Sequence, residues 1–287
     1  MKEKPFSKYQ ILANAVMIIW TLAIILPFIL LFMSSITDEN TLVANGYSFF
    51  PKKFSLASYS YIIKSGGQIL KAYGVSIGVT VVGTLLNVLL SALMAYPLSV
   101  KNLPGRNVMM FFVFFTMLFN GGIVPSYIMW TGTFHIKDTI FAQLLPNFLL
   151  SAWNVMMIRT YFTTSIPDGL YEAAEIDGAS QFTIFWKIVL PLGKPILVTM
   201  GTFAGLAYWN DWTNGLYYIV KNTGLYNVQN LLNQMVQNIQ FLTQSSNSNV
   251  TAAASTIPAT GIQMAIAFVA ILPIMLIFPS FQKYYAK

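Results

Sequence analysis

At 287 residues the chain could hold one sizeable domain, yet 56% of it is hydrophobic, 15% aromatic and only 9% charged, with a mean hydropathy of +0.62. So little charge cannot cover the surface of a soluble globule, which excludes that class and places the chain in a lipid bilayer. The formal charge is +7; with no Cys there is no disulfide or thiolate metal site, and the lone His135 cannot build a histidine cluster, so no metal site is expected. No nucleic-acid partner is expected either.

A bilayer core of about 30 Å needs roughly 20 apolar residues of helix, because backbone polar groups in hydrocarbon must be satisfied inside each segment. Six such runs occur, at about 11–36, 72–99, 108–130, 139–162, 195–220 and 259–282. The expected fold is therefore an all-α membrane protein, a single domain over 1–287 with six transmembrane helices. Prolines 27, 97, 125, 146, 273 and 279 lie in or near these runs and should kink or break them. The first run follows Lys2, Lys4 and Lys8 like a signal peptide, but it is too long and lacks a cleavage site, so it is expected to stay as an anchor.

Charge sets the orientation. With six crossings, Lys2, Lys4, Lys8, Lys101, Arg106, Arg159, Lys187, Lys194, Lys283 and Lys287 fall on one side, which the positive-inside bias makes cytoplasmic, together with both termini. Lys52, Lys53, Lys64, Lys71, Lys137 and Lys221 fall outside against only Asp38, Glu39 and Asp138. Such an excess either draws in anionic solutes or an acidic partner surface, or is interfacial snorkelling of lysines at helix ends, the use favoured by their positions.

In the third and fourth runs, Asn120, Gln143, Asn147, Trp153 and Asn154 form a polar and aromatic set that either lines a path or bonds helices to each other. His135, in the turn between these runs, reads as surface. The segment 163–194 then falls in the cytoplasm. Pro167 suits a first helical turn, Asp168, Glu172 and Glu175 form one acidic stripe, and Gly178 is placed to stop the helix. Ser180 can cap a second helix in which Phe182, Phe185, Trp186 and Val189 would be the buried face and Pro191 the end. The result is a helix-turn-helix knuckle.

The fifth run carries Trp209, Asn210, Asp211 and Trp212. An ionisable group there either faces a cavity, with Trp as a platform for sugar rings, or caps and anchors at the interface; Asp211, roughly 24 Å above Pro195 by helical rise, favours the second. In the outer segment 221–258, Val228, Leu231, Met235, Ile239 and Leu242 share a helical face opposite Asn227, Asn230, Gln234, Gln237 and Gln240. That amide face can hydrogen-bond hydroxyls or a partner, or the helix can lie on the membrane. A Ser/Asn-rich link follows at 243–251, containing an accidental sequon at Asn249.

The stretch 172–191 fits Glu-Ala-Ala, three residues, Gly, nine residues, Ile-x-Leu-Pro, through Glu172, Ala173, Ala174, Gly178, Ile188, Leu190 and Pro191. With this motif the chain resembles, over nearly its full length, the permeases of binding-protein-dependent ABC sugar importers of the MalG kind, in the LplC/YtcP branch with its MetI-like transmembrane domain. The resemblance implies the type I ABC importer permease fold and a knuckle seated in a separate cytoplasmic ATPase dimer, with Glu172 the residue of contact. It also implies a second homologous permease, an extracellular solute-binding protein that the outer loop probes through residues such as Asn230, Gln234 and Gln237, and residence in the bacterial inner membrane. The implied cargo is an oligosaccharide, with uronic-acid chains such as alginate or pectin fragments as a refinement. Members of that family commonly continue in a short Gly-containing tail that reaches the ATPase, where this sequence stops at Tyr284, Tyr285, Ala286 and Lys287, which leaves a tail contact open.

The chain itself should not hydrolyse ATP. Its only Gly-Lys pair, Gly193-Lys194, precedes Pro195 rather than Ser or Thr and has Ile188 where the phosphate cradle needs Gly, so ATP and Mg belong on the partner ATPase and no cofactor is expected on this chain. The HExxH and GxSxG signatures are also missing. Two other classes remain: an intramembrane enzyme acting on lipid-linked sugars through Asp211, and a secondary transporter, for which one carboxylate in the fifth run is thin support.

Overall fold

The computed structural model describes residues 8–64, 66–244 and 259–285. Lys2, Lys4, the Asn249 sequon with its link from 245 to 251, Ala286 and Lys287 lie outside the described residues. The described residues are helical throughout, with one isolated bridge between Thr37 and Phe54 and no strand. They cluster in two compact units, one of residues 1–67 with 232–275 and the other of 68–231 with 276–287.

In the first unit α1 (Lys8–Ser35) is apolar all round and carries Pro27, while α2 (Glu39–Asn45) and α3 (Ala57–Lys64) are short. The unit ends within α15 (Ala259–Tyr285), at residue 275, and on that part Ile262, Ala265, Ile266 and Ala270 are buried at helical spacing. Both carboxylate oxygens of Glu39 accept amide protons at the start of α15, from Thr260 at 2.9 Å and Gly261 at 2.8 Å, supplying the anion that a helix N-terminus favours. Gly261 is needed there: a β-carbon would lie 2.5 Å from the Ser58 hydroxyl. Phe32 packs on Phe268 at 4.9 Å, and Ser35 bonds the Tyr59 hydroxyl at 2.8 Å.

The second unit begins in α4 (Gly66–Ser99) and continues through α5 (Arg106–Leu118), α6 (Ile123–Ile128) with a π-helical turn at Met129–Thr133, α7 (Phe141–Leu144) and α8 (Ala152–Ser165). Next come α9 (Asp168–Ile176), α10 (Gln181–Ile184), a π-helical turn at Phe185–Val189, α11 (Leu190–Leu192), α12 (Lys194–Asn210) and α13 (Thr213–Tyr218). The amphipathic α14 (Val228–Gln244) starts here. The core of this unit includes Ala92, Ala95, Tyr96, Leu98, Val155, Ile158, Phe162, Ile184, Phe185 and Val189, drawn from α4, α8, α10 and the π turn after α10. α4 and α12 approach closely: a β-carbon at Gly83 would meet the Tyr208 ring at 2.5 Å, and the Tyr208 hydroxyl donates to the Leu144 carbonyl at 2.9 Å.

Among the described residues two helices, Lys8–Ser35 and Gly67–Ser99, are long and apolar enough to cross a bilayer unaided. Two bent pairs, one turning by 110° between Leu118 and Ile123 and the other by 78° at Gly193, make the count four if each pair is a single broken span. The interruptions have local causes. Asn120 accepts from the Gly122 amide at 2.8 Å and Gly122 takes φ +88°, which ends α5 inside the third run. Pro146 and Asn147, the latter at φ +68°, break the fourth run before α8. Asp211 leaves the helical region and ends α12 inside the fifth.

Candidate functional site

The knuckle is built from a stop, a turn and a restart. Gly178 adopts φ +76° and closes α9: its amide donates to the Glu175 carbonyl at 3.0 Å and the Ala179 amide to the Ala174 carbonyl at 2.9 Å. Ser180 restarts the chain by accepting the Thr183 amide at 3.3 Å. Ala174 is buried, which lets α9 lie close to its support, while Glu172, Ala173, Gly178 and Pro191 are exposed and Ile188 and Leu190 half-buried.

Three contacts hold this element on the end of α4. The Tyr96 hydroxyl donates to Gln181 Oε1 at 2.5 Å, and Gln181 Nε2 donates on to Glu175 Oε1 at 2.9 Å, tying α9 to α10. Tyr96 stacks beside Tyr171 and tilts against Phe185 at 5.4 Å. Lys101 pairs with Asp168, an exposed contact that adds little stability. At the far end Gly193 lies against Phe162, where a β-carbon would sit 2.6 Å from the ring.

The buried face of the second helix differs from the expected one. Ile184, Phe185 and Val189 are buried, whereas Phe182 is 71% and Trp186 51% exposed. The π-helical turn at Phe185–Val189 inserts a residue into the repeat, so the apolar positions no longer follow a 3.6-residue period. Pro191 lies in the last turn of the continuous helical run Gln181–Leu192, one residue before its end, and the chain turns at Gly193. With Ile176 86% exposed, the knuckle leaves Ile176, Phe182 and Trp186 uncovered, as it does Glu172.

Behind the knuckle, the second unit holds a chain of amides. Asn154, buried, donates to Asn87 at 2.8 Å, and Asn87 donates to the Phe148 carbonyl at 2.6 Å. Asn147 donates to Asn214 at 3.1 Å, and Asn214 to the Pro146 carbonyl at 3.1 Å. Gln143 links to Asn230 and Asn227, each at 3.3 Å. These bonds hold the interrupted helices together by pairing amides that would be costly alone in apolar surroundings.

The residues considered for a substrate path therefore separate. Asn154 is spent on a helix-to-helix bond, while Trp153 is exposed. Asp211, only 5% exposed, accepts from the Thr213 amide at 3.0 Å, the Thr213 hydroxyl at 2.7 Å and the Asn214 amide at 3.3 Å, so it caps α13. Trp209 is buried near Tyr73, with ring centroids 6.4 Å apart; Asn210 and Trp212 are exposed. On α14 the expected outward amide row is corrected at its start. Asn227 and Asn230 are buried, Asn230 donating to the Trp212 carbonyl and Asn227 to that of Asp211 at 2.6 Å. Gln234 is half-buried and Gln237 exposed.

Sequence reasoning missed Asn87, Asn214, Tyr96 and Gln181. Asn87 had a signal, a lone amide in the middle of an apolar run; Tyr96 and Gln181 had none, because their pairing joins positions 85 residues apart.

An all-helical membrane chain that presents a short, firmly backed helix-turn-helix carrying Glu172-Ala173-Ala174 in its first helix falls in the permease class of transport machinery. Within that class the chain belongs to the family described as binding-protein-dependent transport system inner membrane component, matched over residues 79–287. These are membrane transport components rather than enzymes. The chain is 36% identical to Protein LplC of Bacillus subtilis (strain 168) over 92% of this chain and 86% of that one. It is 35% identical to the polygalacturonan/rhamnogalacturonan transport system permease protein YtcP of the same strain, over 97% and 95% respectively. Among solved structures it resembles a chain of a bacterial ABC transporter involved in the import of the acidic polysaccharide alginate, with a TM-score of 0.81 at 26% identity over 98% of this chain and all of that one.

Proposed function

We propose that the chain is a permease subunit of an ATP-driven importer of acidic oligosaccharides, crossing the inner membrane six times with both termini and the knuckle in the cytoplasm. It pairs with a second, homologous permease and a dimer of ATPases that carries the ATP and Mg, and it receives cargo from an external solute-binding protein. The observation that carries this reading is that Glu172, Ile176, Phe182 and Trp186 are all exposed on one knuckle pinned by Tyr96 and Gln181. That combination suits a docking surface that transmits force. Relatives named for polygalacturonan and alginate support an acidic cargo.

The test is reconstitution of the transporter with Glu172→Ala. The variant is expected to insert normally and to lose ATPase association or the coupling of hydrolysis to uptake; wild-type uptake would overturn the reading. In the same assay uronate-containing oligosaccharides should stimulate hydrolysis more than neutral ones, and equal stimulation would remove the acidic refinement.

A further inference from the structure

Glycines in the second unit mostly have a visible reason. Gly83 makes room for the Tyr208 ring, Gly201 and Gly205 approach Val88 and Thr84, and Gly215 lies under the Asn230 amide. Gly74 and Gly78 on α4 do not, nor do Gly121, Gly132 and Gly169: a β-carbon at any of them would meet nothing within 4 Å. A helix-interior glycine costs stability relative to alanine, so two exposed ones a single turn apart in the long α4, each with open space where a β-carbon would sit, point to something outside the chain that comes close.

They form the floor of a groove of about 530 Å³ lined on α4 by Lys71, Gly74, Val75, Gly78, Val79 and Val82, with Ile140, Leu144 and Gly224 also in its lining. Lys71, exposed, is the groove's charged residue, and the loop that contributes Gly224 carries exposed Lys221 three residues earlier. The carboxylate on these loops, Asp138, is folded onto the amides of Val220, Lys221 and Asn222 and makes no ion pair with either lysine among the described residues. From Lys71 to Val82 the groove follows eleven residues of helix, about 16 Å at 1.5 Å per residue. One leaflet of a bilayer core is about 15 Å deep.

We propose that this groove holds a single anionic phospholipid, its phosphate headgroup on Lys71 and one acyl chain along Gly74 and Gly78 as far as Val82. The cation at one end and the apolar, smooth floor match the two ends of an amphiphile, as basic pockets at membrane helices do. A helix of a partner subunit is the other occupant that paired glycines can serve. It would be about 10 Å across and would continue through both leaflets, whereas this lining stops at the depth of one.

The measurement is native mass spectrometry of the assembled transporter, released from nanodiscs that contain phosphatidylcholine with or without phosphatidylglycerol. Wild type should retain phosphatidylglycerol in preference to phosphatidylcholine. Lys71→Gln, a surface change, should lose the preference, and Gly78→Leu should lose the bound-lipid mass while the complex stays whole. Unchanged lipid retention and preference in both variants would overturn the proposal, as would dissociation of Gly78→Leu into subunits, which would assign the groove to a helix. These outcomes are independent of uptake and of the knuckle, so failure here leaves the functional reading standing.

Discussion

Asp138 sits at φ +58°, a conformation that Asp tolerates better than most residues, and gathers three successive amides on one oxygen: Val220 and Lys221 at 2.7 Å and Asn222 at 3.2 Å. Its own amide donates to the Tyr218 carbonyl at 3.0 Å, so one residue clasps two loops 80 positions apart. Those amide bonds, led by Lys221, hold its carboxyl below the usual carboxylate value. Because the folded value is the lower one, the clasp's contribution is present above the ordinary carboxylate pKa of about 4 and is lost as pH falls through the depressed folded value. Hydrogen exchange should therefore find the amides of 220–222 protected from neutral pH down through about pH 4 in wild type, and unprotected at neutral pH in Asp138→Ala. The sequence offered Asp138 only as a counter-charge to outer lysines; its backbone role depends on a fold that brings the two loops together.

At the scale of the element, the knuckle was legible where its instructions are local and obscure where they are not. Gly178 as stop and Ser180 as cap act within a few residues, so both could be read from spacing. The π turn at Phe185–Val189 could not: it has no composition signal, and by inserting one residue it turns Trp186 outward while Phe185 and Val189 stay buried as expected. That displacement exposes Trp186 beside the motif instead of burying it. The support from Tyr96 is equally non-local, and it can be weighed. Losing one neutral hydrogen bond costs about 1 kcal/mol, or about fivefold in a local opening equilibrium. Tyr96→Phe keeps the ring on Phe185 and removes only the hydroxyl, so amides 181–185 should exchange about fivefold faster while expression and insertion stay normal. Uptake per ATP should fall less than in Glu172→Ala, since the docking surface itself is intact. Unchanged exchange would mean that packing alone fixes the knuckle.

For the whole molecule, class was legible from composition because 9% charge in 287 residues permits no other solvent than lipid. Helix continuity was not. Apolar runs of suitable length conceal Asn120 and Asp211, which accept the amides of residues just after them, and Asn147 at φ +68°; Asn214, bonded to Asn147 and the Pro146 carbonyl, and Asn227, bonded to the Asp211 carbonyl, help to satisfy two of these breaks within a membrane. A broken run can still cross, so orientation rests on charge: ten of the sixteen Lys and Arg fall on the proposed inner side, an excess that is real but small. The chain has no Cys, so single thiols can decide the matter without background. Gly169 is exposed on α9 with nothing within 4 Å of a β-carbon, and Asn222 is exposed on the loop clasped by Asp138 through its backbone alone. In intact cells a membrane-impermeant maleimide should label Asn222→Cys and spare Gly169→Cys, which should react only after permeabilisation. The reverse pattern would put the knuckle on the side without ATP. Labelling of both in intact cells would mean that the breaks in the third to fifth runs turn the chain back before it crosses.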